Sequence, residues 1–435
     1  MKHRLLVSFL FLAIASGPAI AQNRVIVRDS LGLHGLQLTC LLVSCNIVEG
    51  VDGTLGQVFV VVPGPLNSVT ELIEELLAQV GVVDAEPDLL LRVTAQTWTA
   101  PPGLWDRTAV SYYGTTAWHG YVNQPAVQII NLPKVQSLSS FGASGTGIVA
   151  VIDTGVDPTH PVLQPVLVTG YDFTRNQWGG SELPDANQPE GTQSSGSPGW
   201  VNQSTMAVVN QQGEVTFSQP KYAAFGHGTM VSGIIHLVAP TAHIMPLKAF
   251  HADGTGYLSD VLRALYFATQ SHAKVINMSF DFQTSSTELS KAARYATSKG
   301  VVLVASVGND GRQAMVYPAG LSNVMGIAST TNHDTLSSFS NYGHPPVWVG
   351  APGEGIITIY PYSTYAAGWG TSFSAPLVSG TVALLRSINA RGLTQSSASQ
   401  AIAHAKYISS QLGYGRLDVY QAAAAWCRAS GCNSQ

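Results

Sequence analysis

Gly147-Ile-Val-Ala-Val-Ile-Asp-Thr-Gly155 is an unbroken apolar run closed by a carboxylate and a turn. A strand apolar on both faces belongs in a sheet that is covered on both sides. The same unit recurs downstream. His243 to Phe250 reads as a strand, followed by a helix from about Ser259 to His272. Lys274-Val-Ile-Asn-Met-Ser279 is a third strand, and Ser285-Ser-Thr-Glu288 has the spacing that caps a helix ending at Gly300. Val301-Val-Leu-Val-Ala305 and Val324-Met-Gly-Ile-Ala328 extend the series. Strands alternating with helices give right-handed crossovers and an α/β fold, a mostly parallel sheet with helices on both faces. Sites in such sheets lie beyond the carboxyl ends of the strands, which is where Asp153 falls.

This pattern starts at about Trp118. Upstream, residues 22–95 read as a small, separate α+β domain. Gln57 to Val62 is a strand, Ser68-Val-Thr-Glu71 is a capping box opening an amphipathic helix through about Val80, and Val82 to Pro87 is a strand with a stop. Residues 96–117, rich in Trp, Tyr and Thr with paired prolines, read as a linker. Residues 174–221 are rich in Gln, Asn, Ser, Gly and Pro and read as a long surface excursion.

The chain has 435 residues, and its 11% charged residues are far below the usual ~25%. That excludes a highly charged disordered chain. The net charge of −4, with no strongly basic block, disfavours nucleic acid as a partner. Lys2, His3 and Arg4 precede an apolar run from Leu5 to Ala15, and Ala19-Ile20-Ala21 ends it with a small-x-small pattern. Residues 1–21 therefore read as a secretory signal peptide, the run being shorter than the ~20 residues of a membrane span. The expected product is secreted, extracellular or periplasmic, and free of the membrane after cleavage. Of three possible pairings of the four cysteines, two local bridges, Cys40–Cys45 and Cys427–Cys432, are the simplest. Four free thiols remain open on sequence grounds. The spacing does not fit a zinc site.

Four residues carry chemistry. Asp153 alone reads as a strand-end residue making an Asx turn. Asp153-Thr-Gly155 also has the form of an aspartic-protease motif, but that chemistry needs two carboxylates and no second motif exists. His227, in Gly226-His-Gly-Thr-Met-Val-Ser-Gly233, precedes an apolar helical stretch; alone it is a surface histidine at a helix start. No H-E-x-x-H accompanies it. Ser372, in Gly370-Thr-Ser-Phe-Ser-Ala-Pro-Leu-Val-Ser-Gly380, stands just ahead of a helix start marked by Pro376. Ser374 breaks the G-x-S-x-G elbow there. Asn309, in Gly308-Asn-Asp-Gly311, is a turn residue or, at a strand end, an amide donor for an oxyanion. Together they follow the order Asp, His, Ser, one of the orders in which acyl-transfer triads are built.

Ala150-Val-Ile-Asp-Thr-Gly-Val-Asp157, Gly226-His-Gly-Thr229, Val275-Ile-Asn-Met-Ser279 and Gly370-Thr-Ser-Phe-Ser-Ala-Pro376 resemble the signature blocks of subtilisin-like serine proteases. The resemblance covers about 118–425, making 118–435 a subtilisin-like catalytic domain. It implies Asp153 as orienter, His227 as general base, Ser372 as nucleophile and Asn309 as oxyanion donor. Residues 22–95 resemble the family's ferredoxin-like propeptide, which implies an intramolecular inhibitor and self-cleavage near 90–120. Protein or peptide substrates are implied, lying extended beside Ser279-Phe280-Asp281 and a facing segment. No cofactor is implied, and a monomer is expected. Phe280-Asp281-Phe282 replaces the family's Leu-Gly-Gly, and Val316 replaces a Gly at the base of its main specificity pocket; both changes add bulk or charge. His160-Pro161 is followed by Val162, not the usual calcium-binding Asp, so the family's tight calcium site is expected to be missing, with Asp172, Asp185 and Glu190 left as candidates for an unrelated weak one. The competing reading is a secreted binding scaffold on a degenerate protease fold.

Overall fold

The computed structural model describes residues 20–65, 67–91, 100–137, 143–187, 205–209, 215–217 and 224–432. The signal-peptide reading for 1–19, part of the linker and Glu190 lie outside them. Among the described residues the central sheet has eight strands. From one edge these are Val347–Pro352, Met325–Thr330, Val302–Ser306, Val275–Met278, Ile148–Asp153, His243–Lys248, Gly170–Asp172 and Gln177–Gly179. All neighbours are parallel except the last pair.

The run that opened the reading shows why the sheet is covered twice. Val149 and Val151 enter the apolar core shared with the helices His227–Val238 and Thr371–Ile388. Ala150 and Ile152 enter the opposite core, with the helices Leu258–Gln270 and Thr287–Ser298. Alternate side chains of a strand point to opposite faces, so Asp153 shares the face of Val151 and of the helix begun by His227. The next three strands of this sheet in sequence order, Gly170–Asp172, Gln177–Gly179 and His243–Lys248, lie on one side of Ile148–Asp153, and Val275–Met278 lies on the other. Its carboxyl end is thus a topological switch point, the usual place for a ligand crevice.

The upstream domain is a β-α-β-β-α-β unit: strands Ile20–Asp29, Cys45–Gly50, Val58–Pro63 and Val82–Leu91, with helices Gly32–Val43 and Val69–Leu77. The Ser68/Glu71 capping box is present. The helix it opens ends at Leu77, short of Val80. The first strand starts at Ile20 and so takes in the last two residues of the expected signal peptide. Both local disulfides form. Strand alternation again serves two cores: Val25 and Val27 pack under the domain's own helices, while Ile26, Val58 and Val60 pack against the core of the larger domain downstream.

Carboxylates complete this interface. The first-turn N–H groups of Ser259 and Thr287, which have no partners within their own helices, donate to Asp88 and Glu86, each at 3.0 Å. Arg28 pairs with Glu288 at 2.7 Å and Arg263 with Glu49 at 2.8 Å.

Two expectations change. The final strand of the small domain does not stop at Pro87 but runs to Leu91, where Leu90 and Leu91 pair with Tyr257 and Gly256 of the larger domain. Proline is tolerated because this outer pairing covers only the strand's end and leaves Pro87 an edge position. Of the presumed linker, 100–117 are folded. A 3-10 turn at Pro102–Trp105 leads into a hairpin of Ala109–Tyr112 and Thr115–Trp118, and the Tyr112 hydroxyl donates to Leu237 O at 2.6 Å. Leu104 and Tyr112 of this stretch are buried in the core.

Candidate active site

The four expected residues stand at element ends. Asp153 closes its strand, and His227 is the first residue of its helix. Asn309 follows the strand Val302–Ser306, and Ser372 is the second residue of the helix Thr371–Ile388. His227 Nδ1 lies 2.8 and 3.0 Å from the two Asp153 carboxylate oxygens. Thr154 N–H also donates to Asp153, at 2.7 Å. His227 Nε2 is buried and has no hydrogen-bond partner. The imidazole lies against Phe373, ring centroids 5.4 Å apart, next to Ser372. Asp153, His227 and Ser372 are all buried.

Glycine makes this approach possible. Gly226, at φ +85°, faces the Tyr360 ring, which a Cβ would meet at 2.1 Å. A Cβ on Gly228 would stand 2.0 Å from Gly155 O. The Gly228 contact is backbone against backbone, so only glycine lets the histidine helix close on the aspartate turn.

Pro376 does not start the serine helix but lies inside it. Its missing N–H would leave the carbonyl of Ser372, four residues back, without its usual partner. Ser279 Oγ donates to that carbonyl at 2.8 Å. Ser279 in turn receives Asn277 Nδ2 at 2.8 Å, and Ser379 donates to Asn277 Oδ1 at 2.7 Å. The Ser372 hydroxyl donates to Ser279 O at 2.9 Å. Asn309 Oδ1 accepts from Thr371 N–H at 2.8 Å and from its hydroxyl at 3.0 Å. This satisfies a first-turn donor and commits the amide oxygen, leaving the NH2 as the donor side of Asn309. Sequence reading missed Asn277, Thr371 and Ser379; each stands inside or beside a signature block, but none has a local signal for its role.

Phe280 and Phe282 are buried, and Phe280 packs on Phe250 with centroids 4.9 Å apart. Phe282 and Tyr317 exchange backbone hydrogen bonds of 2.9 and 2.8 Å, setting the two departing segments side by side. Val316 is fully buried in the same apolar core as both phenylalanines. The Asp281 carboxylate lies against Gly308, where a Cβ would fall 2.8 Å from its Oδ2, one residue before Asn309.

Residues 145–418 match the subtilase family. The chain belongs to that family. Thermitase of Thermoactinomyces vulgaris is 34% identical over 295 residues, covering 66% of this chain and 93% of thermitase. The thermophilic serine proteinase of Bacillus sp. (strain AK1) is 34% identical over 288 residues, covering 65% of this chain and 62% of that protein. Fervidolysin from Fervidobacterium pennivorans, a keratinolytic enzyme related to subtilisin, matches in structure with a TM-score of 0.70 at 22% identity, over 93% of this chain and 61% of its own. That last likeness shows the fold, which is subtilisin-like. The subtilase thus spans less than two thirds of two of these three relatives. Among the described residues no helix is long and apolar enough to cross a membrane.

Of the candidates for a weak metal site considered above, the two among the described residues are engaged by cations. Asp172 pairs with Arg175 at 2.8 Å, and Asp185 pairs with Arg175 and with Lys248. Val162 is buried, and the histidine helix runs without interruption to Val238. Calcium needs 6–8 oxygen ligands. EDTA is therefore expected to leave activity and melting temperature nearly unchanged; a large fall in melting temperature, restored by calcium, would contradict this.

Proposed function

We propose that the chain is the precursor of a secreted serine endopeptidase acting through Asp153, His227 and Ser372. The observation that carries this is His227, with Nδ1 held by Asp153 and Nε2 buried and unpartnered beside the serine block. The Ser372 hydroxyl turns from Ser279 O to Nε2, gives up its proton there and attacks the peptide carbonyl. Asp153 holds the tautomer and stabilises the imidazolium. The Asn309 NH2 and the Ser372 backbone N–H receive the oxyanion. His227 then protonates the leaving amine, and water hydrolyses the acyl-enzyme by the reverse route.

The substrate lies extended between Ser279-Phe280-Asp281 and the facing edge at Gly256–Tyr257. The last strand of the small domain occupies that same edge, which supports the domain as the chain's own inhibitor. Self-cleavage then belongs in 92–99, ahead of the folded hairpin, and the released enzyme acts as a monomer. A fluorophosphonate probe tests the reading: it should label the matured protein at Ser372. A binding scaffold would remain unlabelled.

Asp281 and Val316 define preference. A filled pocket base and a carboxylate beside Gly308 favour a small or basic residue before the cleaved bond. Peptide-library profiling checks this, and a dominant preference for Phe, Tyr or Leu at that position would refute it.

A further inference from the structure

The excursion that begins near residue 174 does not stay on the surface. Val156 N–H donates to Gly180 O and Glu182 N–H to Val156 O, each at 3.0 Å, so its first turn is zipped to the segment after Asp153. The Glu182 side chain is fully buried. Its Oε2 accepts from Thr154 Oγ1 at 2.9 Å and from Gly226 N–H at 2.8 Å, and its Oε1 accepts from the Thr229 hydroxyl. Thr154 follows Asp153; Gly226 and Thr229 bracket His227. Thr154 Oγ1 also receives Gly228 N–H at 3.0 Å. One carboxyl therefore joins the aspartate turn to the first turn of the histidine helix.

We propose that Glu182 is a positioning residue that holds Asp153 and His227 in catalytic register. The inference rests on the triad reading. A buried carboxyl is a poor device for stability alone, since apolar side chains of similar volume usually serve as well. What it supplies here is direction, because three donors from two separate elements converge on one rigid group. Burial pushes its carboxyl up to about 8, against the pull of those hydrogen bonds. When it carries a proton, Oε1 donates to the Thr229 hydroxyl oxygen, reversing that one link while Oε2 still accepts from Thr154 and Gly226, and glutamine reproduces this pattern with its amide oxygen and NH2.

The experiment uses the matured enzyme, a fluorophosphonate and a chromogenic peptide. Absence of labelling in the wild type overturns the triad reading itself. Given labelling, Glu182→Ala is expected to lower kcat about 100-fold with KM within about threefold, the effect of a displacement near 1 Å in a catalytic pair. Glu182→Gln is expected to recover kcat to within about fivefold of wild type. Wild-type kcat in Glu182→Ala, or no recovery in Glu182→Gln, overturns the proposal. Should Glu182→Ala fail to accumulate, Thr229→Val removes the hydroxyl link to Glu182, together with the acceptor of the Asp157 N–H, and is expected to lower kcat about tenfold at unchanged KM. Unchanged kcat in that variant also overturns it.

Discussion

Ser372→Ala is expected to abolish peptide hydrolysis and fluorophosphonate labelling and to leave the fold intact. The hydroxyl removed donates a buried hydrogen bond to Ser279 O, worth about 1 kcal/mol of stability. The helix turn around it keeps its other support, because Ser279 Oγ still donates to the carbonyl of residue 372. Without a nucleophile, kcat is expected to fall by about 10⁶, the loss known for subtilisin and carried over here by family membership. The same variant reports on maturation. If the chain cuts itself in 92–99, the alanine variant is recovered at precursor length; normal processing in a protease-deficient host would assign the cut to another enzyme.

Asn309→Ala is expected to lower kcat by about 10²–10³ with little change in KM, again the magnitude known for subtilisin's oxyanion-hole amide. The structure adds a control. Asn309 Oδ1 also serves Thr371 N–H and its hydroxyl, so alanine removes both the proposed oxyanion donor and a support of the serine helix. Asn309→Asp keeps the acceptor for Thr371 but replaces the NH2 with a second oxygen. It should be as slow as the alanine variant while melting closer to wild type. An aspartate variant with near wild-type kcat would mean that Asn309 acts through Thr371 and not on the oxyanion.

Much of this molecule is written in short-range pattern. The apolar run before Asp153 specifies a strand buried on two faces. The Ser68/Glu71 box starts its helix where the residues indicate, since a cap is made among neighbours in sequence. The cysteine pairs, five residues apart, close locally. The places of Asp153, His227, Asn309 and Ser372 in the fold are legible because strand ends and helix starts are local signals.

Tertiary structure decided the rest, and in each case the deciding partner is remote in sequence. Ser286, not Ser285, caps its helix, donating to Glu86 of the small domain, while Glu288 turns to Arg28. Pro376 is tolerated inside a helix because Ser279 answers the carbonyl that it strands. Pro87 is tolerated in a strand because its neighbour at Gly256–Tyr257 pairs only the last two residues. Glu182 stands in a polar stretch with no periodicity, yet it joins the two turns that present Asp153 and His227. Periodicity and capping register only interactions within a few residues. A hydrogen bond across tens of residues leaves no such trace, and it is settled only when the sheet brings the carboxyl ends of its strands to one place.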